Sequence, residues 1–521
     1  MITADILGER ARITPDSVAL TYIPTRQEFT YGQLDQRATR CARAWINRCG
    51  LRPKDRVGML SENRVEFVEA FCAAGKSGII LVPLSTRYTA HELATIVQDS
   101  GMRCLMYSSR FASVVHELRS LAPVESYIHF DSPHSSPRSS PNGRSYAELL
   151  EPENATPLPA APIAPEDLYC LLYTSGTTGK PKGVMIPHSQ VAWNAYNTVM
   201  SWQLRDTDSV QIFTPLYHAG GLTVFITPLF AIGGRILLHE GFSPAEVLRV
   251  FDEYKCSLLF GVPTIFKMLM DAPEFAAVDF SHVRFCCSGG APLPRYIIAA
   301  YQERGVVFRQ GYGLTEVGVN CFAMTDADSV RKAGSIGKPM MFTEAKVIDP
   351  DGKELGAKEV GELCLRGPHV SRGYWNNEAA TAQVLDADGW FHTGDLAQHD
   401  EEGFFYIAGR LKDMIISGGV NVYPAEIEAE LLKHDAVTDA AVLGIADEKW
   451  GEIPIAFLVL QPGTQITADE LSAFLGQRLS KIKLPKRFVF VEALPRNVYG
   501  KVLKNELRAT LAATPVERNA R

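Results

Sequence analysis

The stretch YTSGTTGKPKG, from Tyr173 to Gly183, packs three glycines, a series of hydroxyl side chains and two lysines into eleven residues. That composition suits the wrapping of a polyanion better than the filling of a core. Glycines let the backbone approach an anion closely, and N–H groups and hydroxyls donate to phosphate oxygens. Thr174, Ser175, Gly176, Thr177, Thr178 and Gly179 supply such groups, and Lys180 and Lys182 add charge. The spacing is not G-x-x-x-x-G-K-[ST], because the glycines stand closer together and Pro181 follows Lys180. Taken alone, a Gly/Thr-rich run is equally a surface turn.

Other residues could complete a nucleotide chemistry. Asp395, after Thr393 and Gly394, can accept from both hydroxyls of a ribose; alone it reads equally as an exposed turn aspartate. Glu316 is a hard oxygen ligand suited to Mg²⁺, and equally a carboxylate favoured at a helix start. Thr315 can bond a phosphate oxygen. Tyr312 offers a flat face for a base or a core aromatic. Arg410 could reach ribose or phosphate, or be a solvated charge. His218, between Tyr217 and Ala219, reads alone as a structural histidine, and Lys501 as a solvent charge.

Taken together, the opening segment and six further motifs resemble those of the adenylate-forming (ANL) superfamily, in family order and spanning nearly the whole chain. After the opening segment come PLYHAGG (215–221), SGGAPLP (288–294), QGYGLTE (310–316), FHTGDL (391–396), GRLKDMIISGGVNVYPAEIE (409–428) and PRNVYGKVLK (495–504). The resemblance implies an ATP/AMP site built from the opening segment with Gly290, Gln310, Gly311, Tyr312, Gly313, Thr315, Asp395, Arg410 and Lys501. It implies Mg²⁺ near Glu316 and an acyl pocket around His218, Ala219, Gly220 and Val224. It further implies a hinge at Lys412, a coenzyme A face around Gly418 and Gly419, and Lys501 reaching the meeting point of carboxylate and α-phosphate. Thr315, Glu316, His218 and Lys501 are the expected catalytic set.

The elements that must hold these residues are legible in part. At 521 residues the chain exceeds one ordinary core, so two or more domains are expected. The N-terminal third alternates strand and helix: RVGML (56–60), EFVEAFCAAGKSG (66–78), IILVP (79–83), HELATIVQDSG (91–101), RCLMYSS (103–109). That pattern predicts parallel sheet covered by helices, and no G-x-G-x-x-G accompanies it. Thr30 with Gln33 makes a capping box before Leu34, Ala38, Cys41 and Trp45 at helical spacing. The stretch 131–145, rich in Ser and Pro, reads as a surface excursion. From about 340, short strands alternate with turns at DPDGKE, DADG and HDEEG. The last hundred residues read as a small α+β unit, with a helix capped by Thr467 and Glu470 running through Leu479. The expected architecture is α/β: a large N-terminal AMP-binding domain over 1–409, of helix-covered, mainly parallel sheets with a β-barrel-like subdomain at 340–409. A hinge joins it to a mobile C-terminal domain over 410–521.

Composition narrows the function classes. Apolar residues make up 46 % and charged residues 21 %, a globular balance, and a net charge of -7 argues against a nucleic-acid coat. The start, MITADILGERAR, reads as a charged amphipathic helix, and the longest apolar run, near Leu222 to Ile232, is too short to cross a bilayer. The ten cysteines form no C-x-x-C pair, and Cys286 and Cys287 read as core. A cytoplasmic enzyme with no nucleic-acid partner and no transmembrane segment is expected; the sequence does not disclose its oligomeric state.

The reaction implied by the resemblance is an ATP-dependent acid–thiol ligation through acyl-AMP and pyrophosphate to a coenzyme A thioester. YHAGGLT (217–223) has no acidic partner for an ammonium, which argues against amino acids. The apolar HAGGLTVFITPLF (218–230) favours a medium- or long-chain fatty acid, with a phenylpropenoic or benzoic acid second. A luciferase-like oxygenase shares the first half-reaction, and a catalytically dead nucleotide-binding regulator is the alternative outside enzymes.

Overall fold

Helix Tyr31–Asn47 begins where Thr30 closes its capping box with Gln33, and it buries Leu34, Ala38, Cys41 and Trp45 as the spacing predicts. It packs on helix Val65–Ser77, which is buried almost all round and ends at Gly78 in the left-handed conformation. A helix apolar on every side needs protein on every side. In the computed structural model these helices lie between two sheets, and one core cluster joins residues of both sheets to the helices. Residues 5–130, 143–150, 158, 163–175, 181–291, 293–496 and 502–513 are described.

The two large sheets are built alike. One runs, strand by strand, Phe308–Gln310, Phe285–Ser288, Leu258–Gly261, Ser209–Ile212, Arg235–Leu238, Val18–Tyr22, Gln27–Thr30. The other runs Gly143–Ser145, Ser126–His129, Cys104–Tyr107, Arg56–Leu60, Ile80–Pro83, Leu168–Ser175, Pro181–Pro187. Within each, neighbours are parallel except the last pair, an antiparallel hairpin at the edge. Their outer faces are covered by further helices over separate clusters, so helix and sheet layers alternate. The outer strand Gly143–Ser145 corrects the reading of 131–145 as loop throughout: its last three residues pair with Tyr127–His129, and 131–142 lie outside the described residues.

Beyond these sheets lies a four-stranded antiparallel sheet, Glu344–Ile348, Gly361–Arg366, Phe391–His399, Phe405–Arg410, over its own core. Gly352, Gly389 and Gly403 make its turns with positive φ, at the three turn sequences singled out. The C-terminal unit pairs Val437–Asp447 with Gly451–Leu460 over ten register positions, and helices Pro424–Leu431 and Ala468–Gly476 cover one face. The Thr467–Glu470 capping box forms, but its helix stops at Gly476 rather than Leu479. Cys286 and Cys287 are core residues. No helix among the described residues is long and apolar enough to cross a membrane.

Candidate active site

Both ends of the polyanion segment are strand in the edge hairpin of the second sheet, not a loop that merely follows a strand. Thr174 stands opposite Lys182 and Tyr173 opposite Gly183, so three residues at each end of the segment are strand. Gly176, Thr177, Thr178, Gly179, Lys180 and the side chain of Ser175 lie outside the described residues, as does Lys501. A Cβ at Gly183 would come 3.0 Å from the Tyr173 ring, so a glycine is what lets the strands close there. The segment Arg372–Trp375 docks along the hairpin, with Trp375 N–H donating to Gly183 O at 2.8 Å and Met185 N–H to Gly373 O at 2.9 Å. That docking sets Lys182 Nζ 4.9 Å from the centroid of the Tyr374 ring.

Tyr374 leads on to Glu316. Its hydroxyl donates to Glu316 Oε1 at 3.1 Å, and Ser371 N–H donates to Glu316 O at 2.7 Å. Burial pushes the Glu316 carboxyl above its usual range, while the Tyr374 hydroxyl and the charges of Arg410 and Lys182 draw it back. Glu316 sits in a single 3-10 turn, Thr315–Val317, rather than at the start of a longer helix. Buried His369 holds that turn: Nδ1 faces Val317 O, and Nε2 lies 2.8 Å from Thr343 Oγ1.

Asp395 is 4 % exposed and lies in strand Phe391–His399, which corrects the reading of an exposed turn residue. Three residues, Thr393 to Asp395, bulge opposite the single residue Leu363. Gly394 takes φ +67 there and donates its N–H to Glu362 Oε1 at 3.0 Å. The carboxylate then meets two donors: Tyr312 Oη at 2.7 Å on Oδ2 and Arg410 Nε at 2.7 Å on Oδ1. The Tyr312 ring packs edge-on against Phe322, so this aromatic is at once a wall of the core and a partner of Asp395. Gly311 N–H donates to Ser288 O at 2.8 Å, which carries Gln310 and Gly311 alongside the turn at Gly290, φ +79. A Cβ at Gly313 would meet the Val319 carbonyl carbon at 2.4 Å, so the loop closes back on itself only with glycine.

On the other side of Thr315 lies the acyl-pocket segment. His218 precedes the short helix Ala219–Thr223, its ring 4.9 Å from Tyr217. Burial, with the charge of Arg87, lowers His218 to about 4, so its ring is neutral at pH 7. Ala219 and Thr223 line a cavity of about 10 Å³ together with Ile186, Gln190, Asn194 and Thr315. His218, Gly220 and Val224 share that segment without lining the cavity; Gly220 turns toward Phe260, and Val224 O accepts from Asn320. A wider cleft of about 450 Å³, lined by Asp206, Arg235 and Lys255, touches none of the candidate residues.

Lys412 lies exposed in the 3-10 turn Leu411–Asp413, between Arg410 and the strand Ile415–Ser417. Gly418 and Gly419, at φ +55 and +79, form the two-residue turn between Ile415–Ser417 and Val420–Val422. Such a turn requires positive φ at both positions whatever else the glycines do. Tyr374, His369, Gln190 and Asn194 escaped the sequence reading. Each is an ordinary-looking residue outside the quoted motifs; only the placement of two polar residues four apart on an apolar helix face, Gln190 and Asn194, gave a signal.

Comparison with known proteins agrees with this geometry. The AMP-binding enzyme family matches residues 7–375, and the AMP-binding enzyme C-terminal domain matches residues 426–501. The chain is 37 % identical to a feruloyl-CoA synthase of Amycolatopsis sp, over 96 % of this chain and 97 % of that one. It is 36 % identical to a long-chain-fatty-acid–CoA ligase of Mycobacterium tuberculosis, over 98 % of each. Among solved structures it resembles ATP-bound MatB from Rhodopseudomonas palustris, with TM-score 0.87, 30 % identity, and coverage of 98 % of this chain and 99 % of that one. The motifs, the layered fold with its small C-terminal unit and these likenesses converge: the chain belongs to the AMP-binding enzyme family, within the adenylate-forming superfamily.

Proposed function

We propose that the protein is an ATP-dependent acid–CoA ligase, which activates a hydrophobic carboxylic acid as acyl-AMP and passes the acyl group to coenzyme A. One observation carries the reading: Lys182, Glu316, Arg410 and Asp395 are brought together through Tyr374 and Tyr312, from four separate parts of the chain. Two cations and two carboxylates linked in this way suit a ligand that offers phosphates at one end and a diol at the other.

In the first half-reaction the acid's carboxylate oxygen attacks the α-phosphorus, and pyrophosphate leaves. Lys182 and the rest of the segment 173–183 hold the outgoing phosphates, and Thr315 bonds the α-phosphate. Asp395 accepts from the ribose hydroxyls, exchanging Arg410 and Tyr312 for them, while Tyr312 and the 288–290 turn flank the base. Glu316 would supply a hard oxygen ligand for Mg²⁺, which when bound would offset charge on the phosphates. Lys501 stands where two anions meet. His218 is neutral and serves as a wall, not a general base. We place the domain boundary at 409/410 with Lys412 as hinge. Rotation there withdraws Lys501 and presents Gly418 and Gly419 to the pantetheine of coenzyme A, whose thiol displaces AMP. Ten free cysteines support a cytoplasmic setting.

The test is direct. With ATP, Mg²⁺, coenzyme A and a panel of fatty and aromatic acids, mass spectrometry should find acyl-CoA and AMP. Activation of amino acids alone, with every neutral acid inert, would overturn the reading.

A further inference from the structure

The cavity beside Thr315 is polar in an unusual way. Gln190 and Asn194 stand four residues apart in helix His188–Trp202 and are 3 % and 2 % exposed. Each spends its amide N–H on a backbone carbonyl: Gln190 Nε2 donates to Thr315 O at 2.9 Å and Asn194 Nδ2 to Thr223 O at 2.8 Å. Turning either amide over would set oxygen against carbonyl oxygen, so those bonds fix both orientations. Among the described residues, Gln190 Oε1 and Asn194 Oδ1 have no hydrogen-bond partner. The Thr223 hydroxyl, also on the cavity wall, donates to Ala219 O and has no proton to offer them. A buried acceptor with no donor is costly, so this pair calls for a donor that the described residues do not supply.

The surroundings keep those oxygens reachable. Gly318 lines the same cavity at φ +79, and a Cβ there would come 3.1 Å from Asn194 Oδ1 and cover it. The remaining space, about 10 Å³, holds one water-sized group. Ala219 and Thr223, from the segment proposed for the acyl pocket, form part of its wall, so it has room for a hydroxyl or amino group in place of a water and not for a chain. Gln190 touches the carbonyl of Thr315, so this end lies a short span from the place proposed for the carboxylate.

We infer that, given the ligase reading on which this rests, the acid is a compact aromatic carboxylic acid carrying a hydrogen-bond donor on its ring, received by Gln190 Oε1 and Asn194 Oδ1. This departs from the fatty acid that the apolar segment 218–230 favours. A hydroxyl supplies one donor and satisfies one of the oxygens; an amino group supplies two.

The test uses benzoic and phenylpropenoic acids bearing methyl, hydroxyl or amino at the meta or para position, with unsubstituted and long-chain acids alongside. In the wild type, kcat/KM for the best hydroxyl or amino acid should exceed that of its methyl counterpart by at least about tenfold, since a site built around hydrogen bonding rejects the analogue that lacks it. Amino above hydroxyl assigns both oxygens to the substrate; hydroxyl above amino assigns one. Asn194→Leu and Gln190→Met remove the acceptors at similar volume, and each should lower the donor-to-methyl ratio toward one. That ratio is taken within each variant, so a general loss of rate does not enter it. If Asn194→Leu fails to fold, because Thr223 O loses its donor, Gln190→Met and the wild-type panel decide. Equal kcat/KM for methyl and donor-bearing acids in the wild type, or a long-chain acid outrunning all of them, would overturn the inference and leave the ligase reading standing. No thioester from any acid would remove both.

Discussion

The two ends of the candidate site are finished differently. At the ribose end, Asp395 is fully engaged: Tyr312 and Arg410 each hold one oxygen at 2.7 Å. At the end proposed for the acid, Gln190 and Asn194 have used their N–H groups on backbone carbonyls and hold out oxygens that no described residue reaches. The first end resembles an exchange, in which a ribose must displace partners already in place. The second resembles a vacancy for one proton donor. Binding through exchange returns only a difference between two sets of hydrogen bonds, whereas filling an orphan acceptor removes a standing penalty. On the proposed reading, selectivity among acids belongs to the unfinished end, and the nucleotide chemistry to the finished one.

The largest expected effect lies between the two ends. If Lys501 acts as proposed, at the meeting point of carboxylate and α-phosphate, Lys501→Ala should slow adenylation by about 10²–10³-fold. Supplied with synthetic acyl-AMP and coenzyme A, the same variant should make thioester at near wild-type rate, measured by rapid quench. Lys504 is a useful neighbour because it is committed elsewhere, 3.6 Å from Asp413 and 3.9 Å from half-buried Glu428. If Lys504→Ala and not Lys501→Ala stopped adenylation, the assignment of the late motif would fail.

Next is the ribose end itself. Asp395→Asn keeps the shape and removes the charge that Arg410 and the ribose share. KM for ATP should rise about 10- to 100-fold in pyrophosphate exchange, as expected for a lost charged hydrogen bond. That rise should be the same for every acid, unlike the acid-dependent effect of Asn194→Leu. Equal acid dependence in both variants would erase the contrast between the two ends.

A smaller effect, about tenfold, is expected at the hinge. Lys412→Pro fixes φ and restricts Leu411, so thioester formation should fall while adenylation persists. Single-turnover measurement of each half-reaction checks this; equal losses would strike Lys412 from the role.

The smallest effect concerns stability. His188, 3 % exposed at the start of the helix that carries Gln190 and Asn194, is lowered by burial to about 4. Its folded pKa lies below the unfolded value of about 6.5, so its contribution is complete above pH 6.5 and drains as pH falls toward 4. Tm should drop by a few °C across that window, on the order of what such a shift yields in a large chain. His188→Gln should flatten the slope. A Tm that rises as pH falls would contradict the sign.

Much of this was legible before any coordinates. Capping boxes at Thr30 and Thr467 and the alternating strands of the N-terminal third predict elements that form. These signals are local: a hydroxyl three residues from a Glu or Gln needs no distant partner. What escaped depends on distant partners. The strand character of Tyr173–Ser175 and Pro181–Gly183 comes from pairing with each other and with Arg372–Trp375, against their own Gly and Lys content. Asp395 reads as a turn residue because Thr-Gly-Asp is turn chemistry, and it is a bulge because strand Gly361–Arg366 lies beside it. Tyr374 becomes part of the site only where its segment docks on the hairpin. The orphan oxygens of Gln190 and Asn194 are defined by what fails to reach them, which no spacing in the sequence encodes.

The central claim is that a carboxylate attacks the α-phosphate. A single turnover with the acid labelled with heavy oxygen in its carboxylate, followed by mass spectrometry of the nucleotide and phosphate products, tests it most directly. The account predicts one labelled oxygen in AMP and none in pyrophosphate. Label in inorganic phosphate, with ADP as the nucleotide product, would mean attack at the γ-phosphate and would contradict it.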